Sequence, residues 1–370
     1  MTRSSTIGVD ASSVSSRGRG DASSASSSGG AFVSPAATST PDSATSPALS
    51  AAGDPDAPIK VGIGQIAPVF LDRAATLARV VELIREASAN GCRLVTFGEA
   101  LVPGYPMWLG RTGGAAWDDP RQKAIHARYI REAVTIEDGH LEPVQAACRE
   151  TGVWVVLGVI ERPRDRGQSL YCSCVTIDGA GQVASVHRKL MPTYEERLVW
   201  GVGDGAGLVV HGLDSFTLGS LNCWENWMPL PRASLQAQGE TLHVAIWPGC
   251  VHNTADITRF IAREGRSYVI SASSLLRATD LPSDVPHRDA IVRDAGELIH
   301  NGGSAIAGPD GEWVVEPVAE QEGLITAVID PVRVREERQN FDPSGHYARP
   351  EILQLRVTRE RHQAVVFEDR

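Results

Sequence analysis

Hydrophobic and polar positions along the chain switch repeatedly between the period of a strand and that of a helix. Residues 59–66 alternate as a strand does, and residues 77–84 then carry one apolar helical face behind a predicted N-cap at Asp72. Asn90-Gly91 predicts the end of that helix, and a second strand follows at residues 93–97. This β-α-β order with short joints predicts helices packed on a sheet.

The same reading extends along the chain. Helices are predicted at residues 121–133, 140–150, 229–238 and 256–264. Strands are predicted at residues 153–160, 170–177, 183–186, 208–210, 216–221, 244–247, 268–271, 303–307, 313–315 and 324–329. Asp178-Gly179 and Gly181 predict a hairpin between two of these strands. The pattern predicts one large mixed α/β domain.

Composition sets residues 1–57 apart from this pattern. They are rich in Ser and Ala with almost no large apolar side chain, which predicts a disordered tail. The tail lacks the apolar run of a secretory signal, and its aspartates count against a transit peptide. No run of about 18 apolar residues occurs in the sequence, so a membrane span is not expected.

Charge and cysteine content favour an acidic cytoplasmic protein whose partners are small molecules. The formal charge of -10 argues against a nucleic-acid surface. The 6 cysteines lie mostly in apolar segments, as in a reducing compartment. Alternation places Cys172 and Cys174 on one face of a strand, where we expect small buried side chains. His252 and His287 lack ligand partners at useful spacing, and we expect neither a metal nor a cofactor.

Three polar residues interrupt or end predicted strands. Glu99 separates two apolar runs, Lys189 follows the strand after the hairpin, and Cys223 follows residues 216–221. Each residue alone has an ordinary explanation, as a solvated side chain, a cap or a core thiol. Because they come from separate strand ends of one sheet system, together they predict a site with a thiol nucleophile, a cation and a base.

Four segments resemble the nitrilase superfamily, in the order in which that family carries them. These are FGEALVPGYP at 97–106, HRKLMPTYEER at 187–197, NCWENWMPL at 222–230 and DPSGHYARP at 342–350. The last segment and the Cys-Trp-Glu run are typical of the nitrilase branch. The likeness covers residues 58–350, which we interpret as a carbon-nitrogen hydrolase domain.

The resemblance implies a four-layer α-β-β-α sandwich and a Glu-Lys-Cys triad at Glu99, Lys189 and Cys223. Cys223 would attack a nitrile carbon to give a thioimidate, Lys189 would stabilise the developing negative charge, and Glu99 would take the thiol proton and later activate water. Glu196 matches a further carboxylate that supports the lysine, with Glu195 as the alternative if the alignment slips by one residue.

The resemblance also suggests substrate contacts from Trp224, whose backbone amide is a candidate oxyanion donor, and from Tyr105 and Trp108. Three positions depart from the usual pattern. Gly98 stands where proline is common, Cys172 where a polar amide is common, and Gly110 where an aromatic residue is common. If Gly110 lines the pocket, the sequence predicts room for a bulky substrate.

These features favour a nitrilase whose only cosubstrate is water. An amidase or N-carbamoyl hydrolase of the same superfamily is the alternative, and a catalytically silent self-assembling scaffold is a third reading that the intact triad disfavours. The resemblance further implies a homo-oligomer, in the form of a spiral or filament, with residues 351–370 in oligomer contacts.

Overall fold

The computed structural model describes residues 54–293, 295–363, 365 and 368. The predicted tail at residues 1–57 lies outside the described residues except for its last four positions. The predicted C-terminal segment is described as far as residue 363 and at residues 365 and 368.

Strands and helices alternate along most of the described chain. The strands are β1 Ile59–Gln65, β2 Cys92–Phe97, β3 Trp154–Glu161, β4 Tyr171–Ile177, β5 Val183–Arg188, β6 His211–Leu213, β7 Phe216–Asn222, β8 Leu242–Trp247, β9 Tyr268–Ser273, β10 Leu275–Arg277, β11 Leu298–Ala307, β12 Trp313–Ala319 and β13 Gly323–Ile329. The α-helices are α1 Arg73–Ala89, α2 Trp108–Thr112, α3 Pro120–Glu132, α4 Glu142–Thr151, α5 Pro229–Gln236, α6 Val251–Gly265, α7 Arg288–Val292 and α8 Pro331–Arg338.

The strands form two mixed sheets. The first has the order β13-β1-β2-β3-β4-β5, and the second has the order β10-β11-β9-β8-β7-β6 with β12 paired to β11. Each sheet has a parallel centre, β1-β2-β3 in one and β7-β8-β9 in the other. The predicted hairpin is confirmed, because β4 and β5 pair in antiparallel register.

Three apolar clusters define four layers. Ile63 and Leu94 of the first sheet pack with Val244 and Ile270 of the second, which places the two sheets face to face. Helices α1 and α4 cover the outer face of the first sheet, and α6 covers the outer face of the second. The predicted α-β-β-α sandwich is confirmed.

The first helix shows how closely local sequence sets an element boundary. The Asp72 side chain accepts a hydrogen bond from the backbone N–H of Ala75 at 2.9 Å, and Asn90 forms the C-cap. Both predicted caps are confirmed. They orient α1 so that Val80 and Ile84 are fully buried against the sheet.

Several predicted boundaries are wrong; β11, for example, begins at Leu298, five residues before its predicted start. Residues 208–210 are not a strand, because the turn at 205–207 delivers Leu208 and Val210 to a cluster with Leu221 and Leu235 instead of to a sheet. Strand pairing begins only at His211. Helix α6 begins five residues earlier than predicted, directly after Cys250, whose φ of 109° breaks the extended chain.

The C-terminal segment lies against its own chain where the structure describes it. The Arg361 guanidinium donates to Asp204 at 3.1 Å and to the Val186 carbonyl at 2.8 Å. None of the described helices has the length and apolar character needed to cross a membrane.

Candidate active site

The three predicted catalytic side chains come together where their strands end. Glu99 follows β2, Lys189 follows β5 and Cys223 follows β7. All three are at least 97% buried, as is Glu196. The Cys223 sulfur and one carboxylate oxygen each from Glu99 and Glu196 all lie within 4.8 Å of one another. A thiol, two carboxylates and an ammonium therefore share one buried site between the sheets.

Cys223 lies on a sharp turn at the end of β7. Its φ of 43° is in the left-handed region, which a non-glycine residue adopts only when surrounding contacts hold it there. The Asn226 side-chain amide donates to the Cys223 carbonyl at 2.9 Å, and the His243 ring donates to the Asn226 Oδ1 at 2.7 Å. The backbone N–H of Trp224 lies against the thiol. This turn presents both a sulfur and an N–H donor to the site.

Lys189 binds both carboxylates. Its Nζ lies 2.9 Å from Glu99 Oε1 and 2.7 Å from Glu196 Oε2, and 5.5 Å from the centre of the Trp200 ring. Burial opposes the charged form, but the negative groups around the ammonium outweigh it and raise the pKa of Lys189 well above its ordinary value. The lysine is therefore a fixed cation and not a proton acceptor at neutral pH.

Glu99 is the carboxylate whose ionisation is most finely balanced. Burial raises its pKa to about 7, although the Lys189 ammonium partly offsets that effect. Cys172 donates weakly to Glu99 Oε1, with its Sγ at 3.5 Å. A carboxylate with a pKa near 7 can both accept and return a proton at neutral pH.

Glu196 is held more tightly. Its carboxylate accepts from the Tyr105 hydroxyl at 2.8 Å and from the Thr193 backbone N–H at 2.6 Å, in addition to Lys189. Thr193 and Glu196 form a capping box on the short 3-10 helix at 194–198. Glu195 is only half-buried. The geometry therefore places Glu196, and not its neighbour, beside the lysine.

The thiol proton must leave Cys223 for the sulfur to attack. Burial and the Glu99 carboxylate raise the pKa of Cys223 well above its usual range, and Lys189 offsets only part of this shift. The resting sulfur is therefore a protonated thiol. One Glu99 oxygen lies within 4.8 Å of the Cys223 sulfur, so proton transfer between them needs a small approach of the thiol or one intervening water.

Glu225 is a structural residue of the site that sequence reasoning used only as a family marker. Its buried carboxylate accepts from the Asn222 backbone N–H at 2.9 Å, from the His187 Nε2 at 3.0 Å and from the Leu190 backbone N–H. His187 and Leu190 lie within two residues of Lys189 in the sequence, and Asn222 directly precedes Cys223. Glu225 thus ties the two catalytic turns together.

Cys172 is also closer to the chemistry than expected. The prediction that Cys172 and Cys174 are buried on one strand face is confirmed. Cys172 contacts Glu99 and lies 3.9 Å from Asn222 Oδ1, whereas Cys174 contacts Ser220. The common polar amide at this position, which Cys172 replaces, was the signal that could have indicated its place in the site.

The predicted substrate residues occupy different depths. The Trp224 side chain is half exposed and stacks on Trp227, with 6.0 Å between ring centres. Tyr105 lies in the site through its bond to Glu196. Trp108 is buried edge-on against Tyr129, with ring centres 4.7 Å apart, and its role in substrate binding stays a prediction.

Glycine at position 98 has a steric reason. A Cβ there would lie 2.3 Å from Ser274 Oγ and 2.8 Å from the Trp247 carbonyl. The turn after β2 therefore passes close to the ends of β8 and β9, which brings Glu99 between the two sheets.

The donor set of Glu99, Glu196 and Cys223 is also one that could ligate a metal ion. The Lys189 ammonium, however, already bonds one oxygen of each carboxylate. A divalent ion would have to displace or closely approach this buried cation, so these residues fit a lysine-centred site better than a metal centre.

Comparison with known families agrees with the geometry. Residues 60–339 match the carbon-nitrogen hydrolase family, and the chain belongs to that family of enzymes. Similar solved structures show the same fold. A carbon-nitrogen hydrolase from Helicobacter pylori G27 has a TM-score of 0.61 at 19% identity, over 80% of this chain and 97% of its own. An amidase of Nesterenkonia AN1 has a TM-score of 0.56 at 17% identity, over 76% and 94%.

Curated relatives that match most of this chain are named as nitrilases. A protein named nitrilase 2, from an unknown prokaryotic organism, is 35% identical over 84% of this chain and 96% of its own length. An aliphatic nitrilase of Sinorhizobium fredii strain HH103 is 35% identical over 83% and 98%. The resemblance to the nitrilase superfamily is confirmed.

Proposed function

We propose that the protein is a nitrilase that hydrolyses an organic nitrile to the carboxylic acid and ammonia. The observation that carries this proposal is the buried Lys189 ammonium, which binds Glu99 and Glu196 beside the Cys223 thiol. Relatives named nitrilase that match along most of their length support the choice of a nitrile.

In the first step, Cys223 Sγ adds to the nitrile carbon. The thiol proton passes to Glu99 and then to the nitrile nitrogen, which gives a thioimidate covalently bound to sulfur. Negative charge develops on that nitrogen during the attack. The Lys189 ammonium, which lies beside Glu99, and the Trp224 N–H, which lies against the thiol, would stabilise it.

Two molecules of water complete the reaction. Glu99 takes a proton from the first water as its oxygen adds to the thioimidate carbon. Glu99 passes that proton to the nitrogen, and the resulting tetrahedral intermediate expels ammonia as its hydroxyl proton moves, again through Glu99, to the leaving nitrogen; the C=O that forms belongs to a thioester. The second water cleaves the thioester in the same way, releasing the carboxylic acid and restoring the thiol. No redox change occurs at any step.

The test compares nitriles with their matching amides. Purified protein is incubated with aromatic, arylaliphatic and aliphatic nitriles and, separately, with the amides, while ammonia and carboxylate are measured. We expect both products from at least one nitrile and a loss of at least about 10³-fold with Cys223→Ala. Ammonia released only from an amide would replace the nitrilase assignment with an amidase one.

Assembly, location and the pocket belong to the same proposal. We propose a cytoplasmic homo-oligomer, in a spiral or filament with residues 351–370 in its contacts; exposed Trp227, Leu230 and Phe260 support self-association in general. Electron microscopy of full-length protein and of a chain ending at residue 350 tests the role of that segment.

The size of the substrate pocket is a separate part of the proposal. A substrate panel limited to short aliphatic nitriles would contradict the roomy pocket proposed from Gly110.

A further inference from the structure

A small cavity lies beside the catalytic carboxylate. It is lined by Glu99, Tyr105, Ser274 and His300 together with apolar side chains, and its volume is about 10 Å³. A space of this size accommodates one water molecule when it is polar enough to hold one.

Two buried oxygens at this cavity have no protein partner. Among the described residues, neither Glu99 Oε2 nor Ser274 Oγ has a hydrogen-bond partner. Glu99 is 1% exposed and Ser274 is 4% exposed, so bulk water does not solvate them. Leaving a buried polar atom unpaired costs about 1 to 3 kcal/mol, and more for a charged group, so a bound donor between them would be favourable.

We propose that one water molecule binds in this cavity, donating to Glu99 Oε2 and held by the Ser274 hydroxyl. Ser274 is then a positioning residue that acts on the general base through the water. The catalytic consequence rests on the proposed role of Glu99, whereas the water site rests on the cavity and its two oxygens alone.

Such a water shifts the ionisation of Glu99 in a defined direction. The protein groups raise the pKa of Glu99 to about 7. A donor to Oε2 stabilises the carboxylate and lowers the pKa from that level. Burial lowers the pKa of His300 to about 4, so its ring is neutral near pH 7 and adds no cation on this side. The other titratable groups that surround Glu99 are Lys189, Glu196, Cys172, Cys174, Cys223, Tyr105 and Tyr129.

The sign for activity follows from the role of the base. Glu99 must be ionised to accept the thiol proton, so activity falls as pH drops through its pKa. With the water in place, the acid limb of kcat/KM lies at a lower pH than without it. Loss of the water in Ser274→Ala moves that limb upward by about one pH unit.

The matched control is Ser273→Ala. Its hydroxyl is also buried without a partner among the described residues, but it does not line the cavity. Full-length wild type and both variants are compared by the pH dependence of kcat/KM on whichever nitrile or amide is turned over. The rate of Cys223 alkylation by iodoacetamide against pH gives a second reading that needs no turnover. We expect an upward shift only in Ser274→Ala.

A high-resolution crystal structure of the wild-type protein tests the site directly. A water within hydrogen-bond distance of Glu99 Oε2 and Ser274 Oγ supports the proposal, and an empty cavity overturns it. If the cavity holds a water but the acid limb of Ser274→Ala lies at the same pH as that of Ser273→Ala, the positioning role of Ser274 is overturned. If no nitrile is hydrolysed but the water is present, the substrate assignment fails and the water site stands.

Discussion

The two carboxylates that bind the Lys189 ammonium have different surroundings. The Glu196 carboxylate accepts three hydrogen bonds, from the Tyr105 hydroxyl, the Thr193 N–H and the Lys189 ammonium. Glu99 bonds the lysine and the weakly donating Cys172 thiol through one oxygen, while its other oxygen has no partner among the described residues.

This difference assigns their roles. The donors that surround Glu196 hold its carboxylate in place, so that it orients the lysine. Glu99 lacks such donors, and its burial raises its pKa to about 7, so it can exchange a proton during the reaction. The Lys189 ammonium therefore binds two carboxylates with different roles. Glu196 is the anchor that holds the lysine in place, and Glu99 is the base.

The largest expected effect is on activity in Glu99→Gln. Without a proton acceptor, kcat/KM should fall by about 10³-fold. Because the raised pKa means that the fold disfavours the charged form of Glu99, this variant should melt no lower than wild type at pH 8. Steady-state kinetics and calorimetry measure both quantities. A variant that keeps its activity would show that Glu99 is not the base.

Glu196→Gln should lose less activity than Glu99→Gln but more stability. We expect a fall in kcat/KM of about 10²-fold, because the lysine loses one of its two anchors, and a loss of about 2 kcal/mol in the free energy of unfolding. Glu195→Gln is the control, since that neighbour is half-buried and outside the ion pair, and it should match wild type in both measurements. Equal losses in the two variants would remove the distinction between the adjacent glutamates.

The sequence predicted the parts of this site that strand ends and family motifs carry. Glu99, Lys189 and Cys223 each follow a strand, and the order of their motifs identified the family. Glu196 was separated from Glu195 only by motif spacing, and the buried capping box supplies the physical reason, since the Glu196 carboxylate closes the turn and the Glu195 carboxylate takes no part in it.

Contacts between distant segments could not be predicted in the same way. Ser274 reaches the site because the turn at Gly98 has no side chain, and Cys172 reaches it because β4 begins beside Glu99. Alternation predicted that Cys172 is buried but not which group it contacts. The error at residues 208–210 is of the same kind, since apolar side chains there fill a cluster and do not extend a sheet.

The smallest expected effect is in Tyr105→Phe, which removes one donor from Glu196 and keeps the ring that packs edge-on against Trp200. Glu196 retains Lys189 and Thr193, so kcat should fall only about 5- to 10-fold. The acid limb of the pH profile should stay in place, because the lost donor serves the anchor and not the base. A change in KM alone would instead indicate that Tyr105 contacts the substrate, as its position in the sequence motif predicts. An acid limb that moves would show that the two carboxylates titrate as one coupled pair, and the division between anchor and base would then fail.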